Sequence, residues 1–139
     1  MKAAYIDEFG GPEAIRFGEM PKPAPRANEV LVRNQIIGIG KPDALVRSGN
    51  DPYLASKFPG LIIGNESAGI VEAVGSEVKN IKVGDKVAVL NGTGCGSHAE
   101  YSCAGEDFVI HTNNNSCVKF VLCRSREDNF LRPIREVSL

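Results

Sequence analysis

Four cysteines are the residues in this sequence that could most readily bind a metal or form crosslinks: Cys95, Cys103, Cys117 and Cys123. Seven residues separate the first two and five separate the last two, so the chain has no Cys-x-x-Cys unit and this spacing does not predict a zinc site. Disulfide frameworks belong to short secreted chains, and the N-terminus turns acidic at Asp7 before a signal peptide could form. We therefore expect reduced, mainly structural cysteines.

A glycine cluster, Gly-Thr-Gly-Cys-Gly at residues 92–96, is a candidate phosphate-binding loop. In dinucleotide sites such glycines let the backbone approach a pyrophosphate at the start of a helix. Here Ser97 stands where the third glycine of that pattern belongs, and the following residues, His-Ala-Glu-Tyr-Ser, are typical of a strand. We expect a turn between two strands at this cluster and not a cofactor site.

Two carboxylates and two histidines complete the set of groups that could move a proton. Asp43 and Glu66 invite an acid–base interpretation, because paired carboxylates often perform general catalysis. His98 is more typical of the end of a strand than of a metal site. His111 lies where the recognisable pattern of the chain stops, and it supports no assignment.

Short β-branched runs between glycine and proline turns must position these residues. One helix is predicted over residues 42–47, because Pro42 suits a first helical turn and Gly49 a C-terminal stop. Gly64 and Gly69 mark places where another backbone or a ligand comes close. Seven or so strands favour a small antiparallel barrel or sandwich, mainly β with one or two short helices. The predicted strands are residues 2–6 and 14–17, which form a hairpin, a central strand at 29–39, and 61–74, 83–89, 98–102 and 108–110.

The size and charge of the chain limit the partners it can have. Its 139 residues and 14.9 kDa suit one domain. Its 16 basic and 17 acidic side chains leave a net charge of −1, which provides no basic field for nucleic acid or an anionic membrane. No apolar run approaches the length of a membrane span. We expect a soluble, cytoplasmic protein without nucleic-acid or membrane partners.

Several motifs, each weak alone, follow one another in order across four-fifths of the chain. They are Phe-Gly-Gly-Pro-Glu at 9–13, Gly-Ile at 38–39, Asp43, Arg-Ser-Gly at 47–49, Gly64, Glu66, Ala-Gly-Ile-Val at 68–71, Val-Gly at 74–75, Gly-Asp-Lys-Val at 84–87 and His-Ala-Glu-Tyr at 98–101. Together they resemble the N-terminal GroES-like catalytic domain of the medium-chain dehydrogenase/reductase superfamily, in its zinc-independent quinone oxidoreductase branch. The resemblance covers residues 1–111 and leaves residues 112–139 as an atypical tail that is not a domain.

This resemblance implies a barrel-like domain that works beside a Rossmann domain. In the family a hydride passes from NAD(P)H to a quinone or α,β-unsaturated carbonyl in the cleft between the two. The family pattern stops near His111, so we expect the Rossmann half to be absent and the chain to be a truncated quinone oxidoreductase-like protein, inactive in isolation. The alternative is a non-enzymatic GroES-like binding or interaction module that self-associates or pairs with a full-length relative.

The resemblance also bears on zinc. Zinc-dependent relatives place a cysteine three residues before the motif aspartate and a histidine immediately before its glutamate, as thiolate and imidazole ligands. This chain has Gly40 three residues before Asp43, and Asn65 immediately before Glu66. A glycine has no ligating side chain and a carboxamide is a poor zinc ligand, so we expect no metal. By the same resemblance Asp43 and Glu66 are structural residues and not a catalytic dyad.

The resemblance places five residues near the cleft: Gly40, Lys41, Pro42, Tyr53 and Asn65. Lys41 matches a position that is often basic and contacts the cofactor pyrophosphate, with a solvated surface lysine as the alternative. Pro42 replaces the hydroxyl residue of the alcohol dehydrogenase proton relay, so that mechanism is excluded. Tyr53 either lines the substrate cleft, where its phenol orients a carbonyl, or simply packs. No catalytic residue is assigned, and the implied substrate is a small quinone or enone.

Overall fold

The structure, a computed structural model, describes residues 1–50, 58–91 and 96–112. The predicted tail beyond Thr112 lies outside these residues. In chain order the elements are β1 (Lys2–Ile6), β2 (Arg16–Glu19), β3 (Glu29–Gly38), α1 (Lys41–Arg47), β4 (Leu61–Ile62), β5 (Glu66–Val74), β6 (Lys86–Leu90), β7 (Tyr101–Gly105) and β8 (Val109–His111), with 3-10 turns at Pro12–Ala14 and Glu106–Phe108. No helix within the described ranges is long and apolar enough to cross a membrane.

The strands form two antiparallel sheets. In the smaller one β1 lies between β2 and β4, and the larger one has the order β7-β3-β5-β6-β8 and curls into half a barrel. Residues 98–100 run beside β1, where the Ala4 N–H donates to the His98 carbonyl at 2.8 Å and Ala3 bridges Ala99. The mainly β, barrel-like fold class with one short helix, and the hairpin of β1 and β2, are therefore confirmed.

Strand β3 is the central strand that the β-branched run predicts. It pairs with β5 from Val30 opposite Val74 to Gly38 opposite Glu66, and with β7 on its other side. Its apolar side chains enter the main core with residues of β5, β6 and β7: Val30, Val32, Val71, Val87, Val89 and Ala104, together with Ile81. Gly69 confirms the predicted close approach, because a Cβ there would lie 2.0 Å from the Arg33 carbonyl oxygen.

Only the predicted strand 2–6 has the bounds found in the structure, because 29–39 ends at Gly38, 83–89 is Lys86–Leu90 and 108–110 is Val109–His111. The other three predicted strands also have the wrong bounds. The run 61–74 is two strands, because the chain turns at residues 63–65, where Gly64 has a φ of +103°. Ala14 belongs to a 3-10 turn that begins at Pro12, so β2 starts at Arg16 instead. The segment 98–102 becomes a strand only at Tyr101. An apolar run does not reveal the turn at 63–65, since residues on both sides of it, Leu61, Ser67 and Ala68, are buried.

A second core fixes the helix. Val46 of α1 packs with Ile6 of β1, Leu61 of β4 and Ile63, the residue after β4. At the end of the helix, Arg47 donates from Nη1 to the Gly10 carbonyl at 2.8 Å, while the Gly10 N–H donates to the Arg47 carbonyl at 3.0 Å. These contacts determine where α1 lies, and with it the connection from β3 to α1.

Candidate functional site

The connection from β3 to α1 carries three of the predicted cleft residues. Gly38 ends β3, Gly40 has extended backbone (φ −141°, ψ 179°), and α1 begins at Lys41, one residue earlier than the sequence predicts. Gly40, Lys41 and Pro42 are all exposed. The connection therefore presents the Lys41 ammonium and the bare backbone of Gly40 to the solvent.

The start of α1 is capped by the helix's own aspartate. The Gly40 N–H donates to the Asp43 Oδ2 at 2.7 Å, and the Asp43 N–H donates to the Gly40 carbonyl at 3.2 Å. Asp43 is only 6% exposed, and its Oδ1 has no hydrogen-bond partner among the described residues. This buried carboxylate stabilises the helix start.

His98 lies beneath the same connection, just before β7, and is 7% exposed. Its Nε2 is 3.0 Å from the Gly38 carbonyl oxygen and 3.7 Å from the Asp43 Oδ2. A carbonyl can only accept, so Nε2 carries the hydrogen and donates to Gly38. The ring lies against Gly64, where a Cβ would be 2.3 Å from the ring Cδ2. His98 is thus a buried contact of the connection and not the strand-end residue that the sequence predicts.

Asn34 holds the segment that carries His98 beside β3. Its Nδ2 donates to the Ala99 carbonyl at 2.9 Å and to the Ser97 carbonyl at 3.3 Å, and its Oδ1 accepts from the Ser102 hydroxyl at 3.1 Å. The register of β3 against β5 shifts between Asn34 and Ile36. Sequence analysis missed this residue, although a carboxamide within a β-branched run indicates a side chain that needs hydrogen-bond partners.

Asn65 and Glu66 reach the same end of the sheet by strand pairing. Glu66 begins β5 and lies opposite Gly38 at the end of β3 and opposite Leu90 in β6. Asn65 precedes it, half-buried, and its carbonyl accepts the Asn91 N–H at 2.7 Å. The topology therefore brings Asn65 near the β3–α1 connection. Tyr53 and residues 92–95 of the glycine cluster lie outside the described residues.

The described side chains offer limited metal or nucleophile chemistry. Nowhere in residues 1–50, 58–91 and 96–112 do three or more His, Cys, Asp or Glu side chains form a group that could hold a metal. Cys103 is the one cysteine within those ranges and is a free thiol. Burial, with a smaller contribution from the charge of Glu29, raises its pKa to about 11, so it is an unreactive structural thiol at neutral pH.

Comparisons with known proteins agree with the fold and the motifs. Residues 26–114 match the family described as the alcohol dehydrogenase GroES-like domain. The chain is 41% identical over 112 residues to a quinone oxidoreductase of Pseudomonas aeruginosa, covering 79% of this chain and 33% of the relative. It is 38% identical over 112 residues to a quinone oxidoreductase of Sus scrofa, covering 78% and 32%.

Solved structures give the same result. A quinone oxidoreductase of Pseudomonas syringae pv. Tomato DC3000 has a TM-score of 0.78 and 34% identity over 86% of this chain and 36% of that one. An Escherichia coli quinone oxidoreductase complexed with NADPH has a TM-score of 0.73 and 32% identity over 81% and 33%. The chain spans about a third of the length of the curated relatives it matches.

Proposed function

This chain belongs to the alcohol dehydrogenase GroES-like domain family, and we propose that it forms the substrate-side wall of a zinc-free, NAD(P)H-dependent quinone oxidoreductase that acts in the cytoplasm. The observation that carries the proposal is the β3–α1 connection, where Lys41 is exposed beside a glycine and Asn65 lies at the same end of the sheet. Relatives named as quinone oxidoreductases support the substrate class, a small quinone or enone, and one relative complexed with NADPH supports the cofactor.

The connection fits a phosphorylated cofactor through the charge of Lys41. A Cβ at Gly40 would contact only the Pro42 Cδ, at 3.3 Å, so the backbone is open to approach. The Gly40 N–H is already used by Asp43, so this amide is not a free donor to the cofactor. The cofactor, when bound, supplies the hydride. We expect the remaining nucleotide contacts to come from a Rossmann domain, because the described residues form only antiparallel sheets.

Polarisation of the substrate oxygen must then come from hydrogen-bond donors. Asn65 has a carboxamide N–H that suits this task, and the Tyr53 phenol remains a predicted second donor. Pro42 has no hydroxyl for a proton relay, so solvent would deliver the proton that completes reduction of a quinone. These side chains orient and polarise the substrate and do not form a covalent intermediate with it.

We expect the purified chain to retain no stoichiometric zinc after dialysis. Gly40 has no side chain, and the carboxamide of Asn65 is a poor ligand at the second expected position. Elemental analysis checks this, with the double variant Gly40→Cys, Asn65→His as a matched control that restores both ligand types. About one zinc per wild-type chain, resistant to dialysis, would contradict the proposal of a metal-free site.

We expect the 139-residue chain to bind NADPH weakly and to turn over no quinone. One exposed ammonium at Lys41 cannot replace the phosphate loop of a Rossmann domain. Fluorescence titration at low salt should show that Lys41→Ala weakens binding about threefold, as expected for a surface charge. The control Lys82→Ala, which removes another exposed lysine, should change nothing.

Either of two results would contradict this account. Saturable micromolar binding by the chain alone would mean that the nucleotide site does not need a second domain. Equal affinities for wild type, Lys41→Ala and Lys82→Ala would remove Lys41 from the site while leaving the family assignment unchanged.

The alternative function, a non-enzymatic binding module, is favoured by apolar exposure at the same connection. Ile39 is 72% exposed and Leu45 of α1 is 44% exposed, so an exposed apolar rim is formed by side chains two residues before and four residues after Lys41. A second domain or a full-length relative would cover such a rim. Sedimentation of the chain, alone and mixed with a full-length quinone oxidoreductase, shows whether a complex forms. A non-enzymatic module should form a stable complex and leave the quinone turnover of the full-length enzyme unchanged.

A further inference from the structure

His98 contacts both ends of the connection that presents Lys41. Its Nε2 is 3.0 Å from the carbonyl oxygen of Gly38, the last residue of β3, and 3.7 Å from the carboxylate of Asp43, the third residue of α1. We propose that His98 is a positioning residue that holds the β3–α1 connection, and with it the backbone of Lys41, in the place from which this lysine meets a phosphorylated cofactor. This inference rests on the proposed function, because it assigns a purpose to the same connection.

The position of the ring is determined by backbone on several sides. The His98 N–H donates to the Ile63 carbonyl at 2.9 Å, and the His98 carbonyl accepts the Ala4 N–H at 2.8 Å. Asn34 binds the carbonyls of the two flanking residues. Gly64 leaves the space that the ring fills. The imidazole is therefore a fixed donor, against which the connection can be held.

The contacts continue from the ring to the residue before Lys41. The Nε2–H donates to the Gly38 carbonyl, the Asp43 Oδ2 faces the same nitrogen, and that Oδ2 accepts the Gly40 N–H at 2.7 Å. The other Asp43 oxygen has no partner among the described residues, so the orientation of the carboxylate depends on its Oδ2 contacts. Without the ring donor, we expect the end of β3 at Gly38 to move relative to α1, which weakens the hydrogen bond from the Gly40 N–H to Asp43.

Two substitutions separate positioning from simple packing. His98→Phe keeps an aromatic ring against Gly64 and removes the donor. His98→Gln places an amide nitrogen the same number of bonds from the Cα as Nε2 and keeps the donor. If the ring only fills space, the phenylalanine variant should resemble wild type more than the glutamine variant does.

The first test measures amide hydrogen exchange in the full 139-residue chain, together with urea unfolding. We expect His98→Phe to accelerate exchange of the Gly40 amide about tenfold beyond its effect on global unfolding, and His98→Gln to stay within about threefold of wild type. The Gly84 amide, which donates to Val71 at 2.8 Å, is the control. Unchanged Gly40 exchange in His98→Phe, or equal exchange in both variants, would overturn the proposal.

A measurement on the wild-type chain covers the case in which His98→Phe does not fold. Long-range 1H–15N spectra report which ring nitrogen of His98 carries the hydrogen. The proposal requires a protonated, slowly exchanging Nε2, because that atom donates to Gly38. A neutral ring protonated at Nδ1 instead would refute it.

Titration with inorganic pyrophosphate links this device to the proposed function. We expect pyrophosphate to shift the Lys41 amide resonance in wild type and in His98→Gln, and to shift it less in His98→Phe. The Lys82 amide resonance should not shift. A wild-type chain without a Lys41 response would refute the role of Lys41, and with it the purpose assigned to His98. A wild-type response that His98→Phe retains in full would refute the role of His98 alone.

Discussion

Replacing Gly64 by alanine should destabilise the chain by about 4 kcal/mol, a large part of the stability of a small domain. Two separate effects add. The φ of +103° is one that residues with a Cβ rarely adopt, and the new Cβ would lie 2.3 Å from the His98 Cδ2 and 2.6 Å from the His98 backbone nitrogen. A backbone atom cannot move aside as a flexible side chain can, so the segment before β7 must shift. Urea unfolding followed by circular dichroism measures the loss.

Gly84→Ala is the matched control for this substitution. Gly84 has a similar φ of +91°, but a Cβ there would meet nothing within 4 Å. We expect this variant to lose only about 1 kcal/mol, the conformational part of the effect. The difference between the two variants isolates the contact with His98. Equal losses would mean that the close packing of the ring and Gly64 has no energetic weight.

Asn34→Ala should destabilise the chain by about 3 kcal/mol, because it removes three hydrogen bonds made by one side chain. The carbonyls of Ser97 and Ala99 and the hydroxyl of Ser102 all lose their contact with this carboxamide. Alanine cannot replace these contacts, so the attachment of residues 97–102 to β3 should weaken. Chemical denaturation of the full chain gives the change in the free energy of unfolding.

The neighbouring Gln35→Ala is the control, since Gln35 is exposed on the same strand. We expect it to change stability by less than about 0.5 kcal/mol. If the two alanine variants were equally stable, solvent would satisfy the groups that Asn34 binds, and the carboxamide would not be what holds the His98 segment in place.

Local signals allowed part of this fold to be predicted. The helix was recognisable because Pro42 suits its first turn and Gly49 its end, and both act over a few residues. The central position of β3 was predicted from a ten-residue stretch rich in Val and Ile, in which Val30, Leu31 and Val32 are buried. The grouping of Gly40 with Asn65 came from family resemblance, and periodicity would not have provided it.

The remaining features depend on contacts between distant parts of the chain. Asn34 binds partners 63 to 68 residues away, and His98 binds Gly38 across 60 residues. The pattern of residues along the sequence gives no sign of contacts between such distant positions. The roles of Asn34 within a strand and of His98 before one could therefore not be predicted. The close approach at Gly64 was predicted and is confirmed, since a Cβ there would lie 2.6 Å from the His98 backbone nitrogen. The turn itself was not predicted, because the apolar run on either side of it gives no local sign of one.

The pairing of β3 with β7 also determines when the domain can become complete during its synthesis. Glu29 meets Gly105, so one edge of β3 stays unpaired until the ribosome has released β7. Sheets closed by such distant pairings fold in milliseconds to seconds, and an exposed strand edge is where nascent chains aggregate. His98 emerges just before β7, so the hydrogen bond from its ring to the Gly38 carbonyl is among the last contacts of the β3–α1 connection that synthesis makes possible. A partly synthesised chain would present Lys41 before that bond can form.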